Sequence, residues 1–310
     1  MKPSTLNAQA NAVVDCQSLS KNYGKTRALA NVSLQLPAGA PIALIGPNGA
    51  GKTTFLSLLC GFIHPSQGSV SVLGHPPGST QALRKIAALP QDAWLDPTFT
   101  IARQLRHYAQ LRGLSKSQAH SEPLRVLERV QLADSAQSKP AQLSHGMRKR
   151  IMIAQALIGQ PQLVLLDEPT AGIDPPNVKI IRELIAAEAD NATFIISSHN
   201  LDELEKVCDS VVHLAKGQLQ GINSINAAEN EGYITIAIRH ANSGDHALDC
   251  LNAVTGVNHV TRKGSTDFVV EFNSIAYPSM DITLLTALAQ QRIDYRRLTK
   301  GRSLEEQMFS

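Results

Sequence analysis

Short apolar runs bounded by turn residues alternate with stretches of helical spacing over most of this chain, which predicts an α/β protein. Pro41-Ile42-Ala43-Leu44-Ile45 reads as a strand, and Thr54-Phe55-Leu56-Ser57-Leu58-Leu59 as the helix after it. Before them come short β-like runs, Val13-Val14 and Val32–Leu36, broken by Tyr23-Gly24 and Pro37. Ser69–Leu73 and Ile86–Pro90 read as further strands. Leu163–Leu166 and Thr193–Ser197 are unbroken apolar runs, as expected of parallel strands covered on both faces. Between them Pro175–Ala189 is helical, and Val211–Leu214 with the turn at Lys216-Gly217 closes this part. Across about 98–160 apolar positions recur at helical spacing (Ile101–Leu111, Leu124–Val130, Ile151–Ile158), so a helical insertion is predicted there.

Residues 1–12 read as a loose polar tail, 13–222 as one large domain and Ile222–Asn230 as a linker. Residues 231–310 have a pattern of their own. Tyr233–Arg239 alternates as a strand, Ala247–Ala253 is helical, Val257–Arg262 and Asp267–Phe272 are strands, Met280–Gln290 is a helix and Asp294–Leu298 a last strand. That order is the split βαβ arrangement, a small α+β domain of the ferredoxin-like kind. No catalytic constellation falls inside it.

Composition narrows the setting. With 43% hydrophobic and 18% charged residues, a packed globular core is expected. A net charge of +3 is too small to argue for nucleic acid, and no nucleic-acid partner is expected. Cys16, Cys60, Cys208 and Cys250 form no CxxC pair, which speaks against structural zinc and for a reduced cytosolic setting. The first ten residues lack an apolar signal-peptide region, and no apolar run approaches the ~20 residues of a membrane helix. A membrane role must then come through a partner.

The chemistry concentrates at Gly46-Pro47-Asn48-Gly49-Ala50-Gly51-Lys52-Thr53, which fits the phosphate-loop pattern G-x-x-x-x-G-K-[ST] at every fixed position, between a strand and a helix. The glycines let backbone N–H groups curl around phosphate oxygens, and the helix N-terminus adds partial positive charge. Lys52 can reach the β- and γ-phosphates, and the Thr53 hydroxyl can ligate Mg²⁺. Asp167 and Glu168 end the strand Leu163–Leu166, at the edge where ligands bind in parallel sheets. Asp167 is the natural Mg²⁺ partner, and Glu168 can reach the water that attacks the γ-phosphorus, as base or positioner.

Taken together these motifs resemble the ATP-binding subunit of ABC transporters, over residues 13–220. Leu143-Ser144-His145-Gly146-Met147 stands where that family has L-S-G-G-Q; His145 and Met147 depart from it, while Ser144 and Gly146 are kept. The resemblance implies a P-loop NTPase with a RecA-like core, an antiparallel β subdomain and the helical insertion. It implies ATP and Mg²⁺ as bound groups, with Thr54 also at the phosphates and Gln91 in a loop that joins the metal site to the helical subdomain. Asp174 matches the acidic residue of the D-loop (Ala171-Gly172-Ile173-Asp174) and His199 the switch histidine that contacts the γ-phosphate. Tyr23 falls where an aromatic stacks on adenine, or is plain packing. His145 is a tolerated variant or adds a contact or a pH-sensitive charge near the phosphate. Arg148, Lys149 and Arg150 serve the nucleotide or form a solvated basic face.

The family works as a head-to-tail pair, each ATP lying between one subunit's Lys52 side and the other's Ser144–Gly146 side. The implied partners are a second nucleotide-binding subunit, an identical copy in the expected arrangement, and a polytopic membrane permease. Its cytoplasmic helix would dock on the helical insertion near Gln91, which would place the protein on the cytoplasmic face of the cell membrane. The extension after the nucleotide domain and the tail Arg302-Ser303-Leu304-Glu305-Glu306 resemble the ABC-2 type exporter ATPases. The competing reading is a non-transport ABC mechanoenzyme acting on a protein or nucleic acid. The repair type needs a long coiled coil between the two nucleotide motifs, and no sustained heptad pattern is present.

Overall fold

The computed structural model describes residues 12–198, 207–224, 231–240 and 243–300. The chain divides into two compact units, residues 1–225 and 226–310. His199, the helix start at Asp202-Glu203 and the 302–306 tail lie outside the described residues.

The first unit holds two sheets. A three-stranded antiparallel sheet has the order β2-β1-β4, with β1 Ala12–Tyr23, β2 Thr26–Pro37 and β4 Gln67–Val72. The sequence shows only short apolar runs here, yet β1 and β2 form one long hairpin. Register shifts along β1 break its alternation, which is why its apolar residues did not read as a continuous strand. The six-stranded sheet has the order β5-β6-β7-β3-β8-β9, with β3 Ile42–Ile45, β5 Ile86–Leu89, β6 Leu163–Asp167, β7 Thr193–Ser198, β8 Ser210–Ala215 and β9 Gln218–Ser224. Its strands pair in parallel from β5 to β8; only β9 is antiparallel. Every residue of β3, β6 and β7 is buried, the signature of strands covered on both faces. Strand β9 carries Ile222, paired with Val212, into the sheet, so the expected linker does not start at Ile222.

Helix α1 is Lys52–Cys60, α2 Thr80–Leu83, α3 Ile101–Leu111, α4 Lys116–Arg129, α5 His145–Ala156 and α6 Pro175–Glu188. Caps, more than the first apolar residue, set where α4 and α5 begin. Helix α4 starts eight residues before the apolar stretch at Leu124, because Ser115 and Gln118 form a capping box there. Its interior contains Pro123, a residue that donates no backbone hydrogen bond. Helix α5 starts at the expected signature, with Ser144 as its N-cap accepting from the Met147 N–H at 3.2 Å. Phe55, Leu58 and Leu59 of α1 pack with Leu44, Leu165 and Ile195 of the parallel sheet.

The second unit is the predicted split βαβ. Strands β10 Glu231–Ile238, β11 Val257–Lys263, β12 Asp267–Asn273 and β13 Tyr295–Lys300 form an antiparallel sheet of order β11-β12-β10-β13. Its core joins Ile234, Ile236, Phe268 and Val270 to Leu251 of α7 (Gly244–Asn252) and to Leu284 and Leu288 of α8 (Met280–Gln290).

Candidate active site

The loop between β3 and α1 is shaped by backbone that only glycine adopts freely. Gly46, Gly49 and Gly51 have φ of +150°, +79° and +102°. A Cβ on Gly46 would lie 2.1 Å from the Leu214 carbonyl oxygen, and one on Gly51 2.7 Å from the Ala28 oxygen. The β8–β9 turn at Lys216-Gly217, with positive φ at both residues, supports the loop from outside. Its Gly217 N–H donates to the Ala50 carbonyl at 3.1 Å, and the Ala30 N–H donates to Gly217 at 2.7 Å.

Lys52 is the first residue of α1 and is buried. Its Nζ donates to the Gly46 carbonyl at 2.7 Å and to the Pro47 carbonyl at 3.4 Å, so the ammonium lies inside the curl of the loop. A cavity of about 590 Å³ opens beside it. Its wall gathers Asn48 through Thr54, Tyr23, Gln91, Asp167 and Glu168, residues brought in from β1, the β3–α1 loop, the segment after β5 and the end of β6. Gly46 and Pro47 act from behind, through their carbonyls. Tyr23 is half exposed, and Lys21 Nζ lies 5.2 Å from its ring centroid.

The two acidic residues are held differently. Asp167, the last residue of β6, accepts a short hydrogen bond at Oδ1 from the Ser197 hydroxyl of β7. The same hydroxyl accepts the Glu168 N–H at 2.9 Å. Glu168 has φ +49°, a backbone setting that costs a non-glycine residue about 1 kcal/mol or more and turns the chain sharply at the strand end. Ser197, fully buried, was not singled out from sequence; the signal was a polar pair, Ser197-Ser198, ending a strand that is otherwise apolar. Arg27, Thr26 and Ala28 also line the cavity and were missed; Ala171, the first residue of the D-loop stretch, lines it too. Cys60, at the other end of α1, is buried and its thiol is pushed up to about 12 by burial, with Asp167 adding to the effect, so it stays protonated and unreactive.

Ser144, Gly146 and Asp174 do not line this cavity. Ser144 caps α5 at an exposed position, and Gly146 packs so closely on α6 that a Cβ would lie 2.4 Å from Asn177 Nδ2. Asn177 Nδ2 in turn donates to Asp174 Oδ1 at 2.6 Å.

The oxygen donors at the cavity suit a hard cation. Among the described residues no group of three or more His, Cys, Asp or Glu side chains could hold a metal ion. Asp167, the Thr53 hydroxyl and the Gln91 amide share one cavity with the phosphate loop, a sparse donor set of the kind Mg²⁺ uses when phosphates and water complete its shell.

A parallel sheet with a glycine-bent loop wrapped around a helix-start lysine, sharing a cavity with a carboxylate at the end of the strand two places away, defines a P-loop nucleoside triphosphatase. A profile of the ABC transporter family matches residues 29–171. The chain is 35% identical over 210 residues to Nod factor export ATP-binding protein I of Burkholderia lata, covering 67% of this chain and 69% of that one. It is 34% identical over 215 residues to linearmycin resistance ATP-binding protein LnrL of Bacillus subtilis, covering 68% and 69%. A solved ATP-binding subunit of an ABC transporter superposes with a TM-score of 0.63 at 30% identity, over 69% of this chain and 90% of that one. The chain belongs to the ABC transporter family: it is an ATP-binding subunit and an ATPase.

Proposed function

We propose that this chain hydrolyses Mg²⁺·ATP to drive a separate membrane permease, in an exporter of the ABC-2 type. The observation that carries the reading is the split of the machinery. The phosphate loop, Gln91, Asp167 and Glu168 share one cavity, while Ser144 and Gly146 stand outside it at the start of α5. Those two can serve a nucleotide only if it is bound by a second copy. Names of the relatives, an export protein and a resistance protein, support the direction of transport.

In this mechanism Lys52 and the loop N–H groups hold the phosphates, and Tyr23 stacks on the base. Thr53, Asp167 and Gln91 would hold Mg²⁺, which when bound neutralises phosphate charge. Glu168 takes a proton from the water that attacks the γ-phosphorus, as the bond to the β-phosphate oxygen breaks and ADP and phosphate form. Ser197 fixes both acidic residues for this step. His199 of the same subunit, and Ser144 and Gly146 of the other, contact the γ-phosphate, with Asp174 at the junction. The pair therefore closes on ATP and reopens after hydrolysis. The permease's cytoplasmic helix meets the groove of about 680 Å³ on α3, lined by Phe99, Arg103, His107 and Tyr108, which places the pair on the cytoplasmic face of the membrane. Among the described residues no helix is long and apolar enough to cross a membrane.

Purification of the tagged chain from its native membranes tests this. A polytopic membrane protein should accompany it, and ATP turnover should respond to that partner. Recovery with a soluble protein or nucleic acid instead would favour the non-transport alternative.

A further inference from the structure

The aromatic wall of the cavity is held from outside it. Lys21 and Tyr23 are two residues apart on β1, the spacing that brings side chains to one side of a strand. Lys21 Nζ lies over the Tyr23 ring, 5.2 Å from its centroid. The ammonium is anchored as well, donating to the His64 carbonyl at 2.8 Å. Two further hydrogen bonds fasten the segment after His64 to β1. The Ser66 N–H donates to the Ser20 carbonyl at 2.8 Å, and the Asn22 N–H donates to the Ser66 hydroxyl at 3.0 Å. His64 lies just past the C-terminal end of α1, the helix that starts with Lys52. One helix therefore carries the phosphate lysine at its start and, beyond its end, the carbonyl that seats Lys21. Tyr23 lines the cavity and Lys21 does not, so Lys21 reaches a bound molecule only through the ring.

We propose that Lys21 is a positioning residue for the nucleotide base: seated on His64, it fixes the half-exposed Tyr23 ring and backs one of its faces with positive charge, leaving the other to a purine. Aromatic faces carry negative charge and repel one another in a direct stack, and a cation behind one ring weakens that repulsion. A ring already held in place also loses less freedom when the base arrives. This deepens the ATPase reading above and rests on its stacking of Tyr23 on the base. A lysine that only tied β1 to the 64–66 segment would affect the fold, and so every ligand, alike.

The test is the affinity of the full chain, with Mg²⁺, for a non-hydrolysable ATP analogue and for inorganic tripolyphosphate, which has three phosphates and no base, read by titration calorimetry. Lys21→Met keeps the stem and removes the charge. The analogue should bind about two- to fivefold weaker, the fold-change of an exposed cation–π contact, while tripolyphosphate binds as to wild type. In turnover, KM for ATP should rise by the same factor with kcat unchanged. Lys21→Arg should retain wild-type affinity for both ligands, since a guanidinium also lies over a ring and donates to a carbonyl. Tyr23→Ala should weaken the analogue about fivefold or more, and Lys21→Met added to it should change nothing further. The proposal is overturned if Lys21→Met weakens both ligands equally, binds the analogue as wild type does, or still costs affinity in the Tyr23→Ala chain. Lys21→Arg behaving like Lys21→Met overturns it too. Should tripolyphosphate bind too weakly to measure, the combination with Tyr23→Ala decides alone; should Lys21→Met not fold, Lys21→Gln is read in its place. If Tyr23→Ala itself binds the analogue like wild type, the stacking falls and takes this inference with it; if Tyr23→Ala binds weakly and Lys21→Met does not, only Lys21 is wrong.

Discussion

Gly46→Ala and Gly49→Ala separate two physical demands on the phosphate loop. Both residues have positive φ, +150° and +79°, but their surroundings differ. A Cβ on Gly49 meets nothing within 4 Å, whereas on Gly46 it meets the Leu214 carbonyl at 2.1 Å and the Ala50 Cβ at 2.9 Å. The Leu214 oxygen is main chain of β8, which pairs with β3 on the near side of the loop. It cannot rotate away, so loop or strand must shift by about an ångström. Gly49→Ala should therefore cost only backbone strain, about 1 kcal/mol. Gly46→Ala should cost about 3 kcal/mol or more, at the upper end for overpacking. For a unit of this size these become melting shifts of about 2–4 °C and about 6–12 °C. Nucleotide affinity should fall in both, and much further in Gly46→Ala, because the shift displaces the carbonyl that holds Lys52. Thermal melting with and without ATP, with binding by fluorescent nucleotide, reads both. Equal effects in the two variants, or wild-type ATP affinity in Gly46→Ala, would refute the steric argument.

Ser197→Ala removes the hydroxyl shared by Asp167 and Glu168; ATP turnover should fall about 10- to 100-fold, as for other supports of metal-site ligands, with the fold intact by circular dichroism. Glu122 accepts from Arg125 at 2.6 and 2.9 Å and from the Gly159 N–H at 2.7 Å, while Arg125 donates to the Leu157 carbonyl, so this pair ties α4 to the end of α5. Burial raises the Glu122 carboxyl, but the Arg125 hydrogen bonds, the Gly159 N–H and the Arg125 charge together hold it below its ordinary value. The stabilisation it gives is then full above the ordinary glutamate range near about 4.3 and lost as pH falls through the lowered value. Glu122→Gln should cost about 1–3 kcal/mol at neutral pH, and melting curves of the two proteins should converge in acid; a constant gap down to low pH would show that the charge is not what matters.

What the sequence made legible was mostly local. The strand, loop and helix around Gly46–Thr53 are contiguous, so one stretch of chain carries pattern, turn chemistry and charge together. The second unit was equally readable, because its short apolar runs are set apart by turn residues and each helix carries buried apolar positions. Partners set by sheet register stayed hidden. Ser197 meets Asp167 only because β6 and β7 pair in parallel at that level, a contact 30 residues apart in the chain. The β1–β2 hairpin was cut short by its bulges, and α4 was dated from its apolar stretch when its cap lay earlier. Lys149 sits in a run of three basic residues that looks like a solvated face. Its burial comes from the packing of α5 on β5, which helical spacing alone does not reveal.

The sharing of one nucleotide between two copies is tested most directly by mass photometry of Glu168→Gln, alone and combined with Ser144→Arg, in the presence of Mg²⁺·ATP. The single variant, able to bind but not to hydrolyse, should accumulate as a dimer that ADP does not support. Adding Ser144→Arg should return it to monomer while each chain still binds ATP. A Glu168→Gln chain that stays monomeric with saturating ATP, or a dimer indifferent to Ser144→Arg, would contradict the shared site.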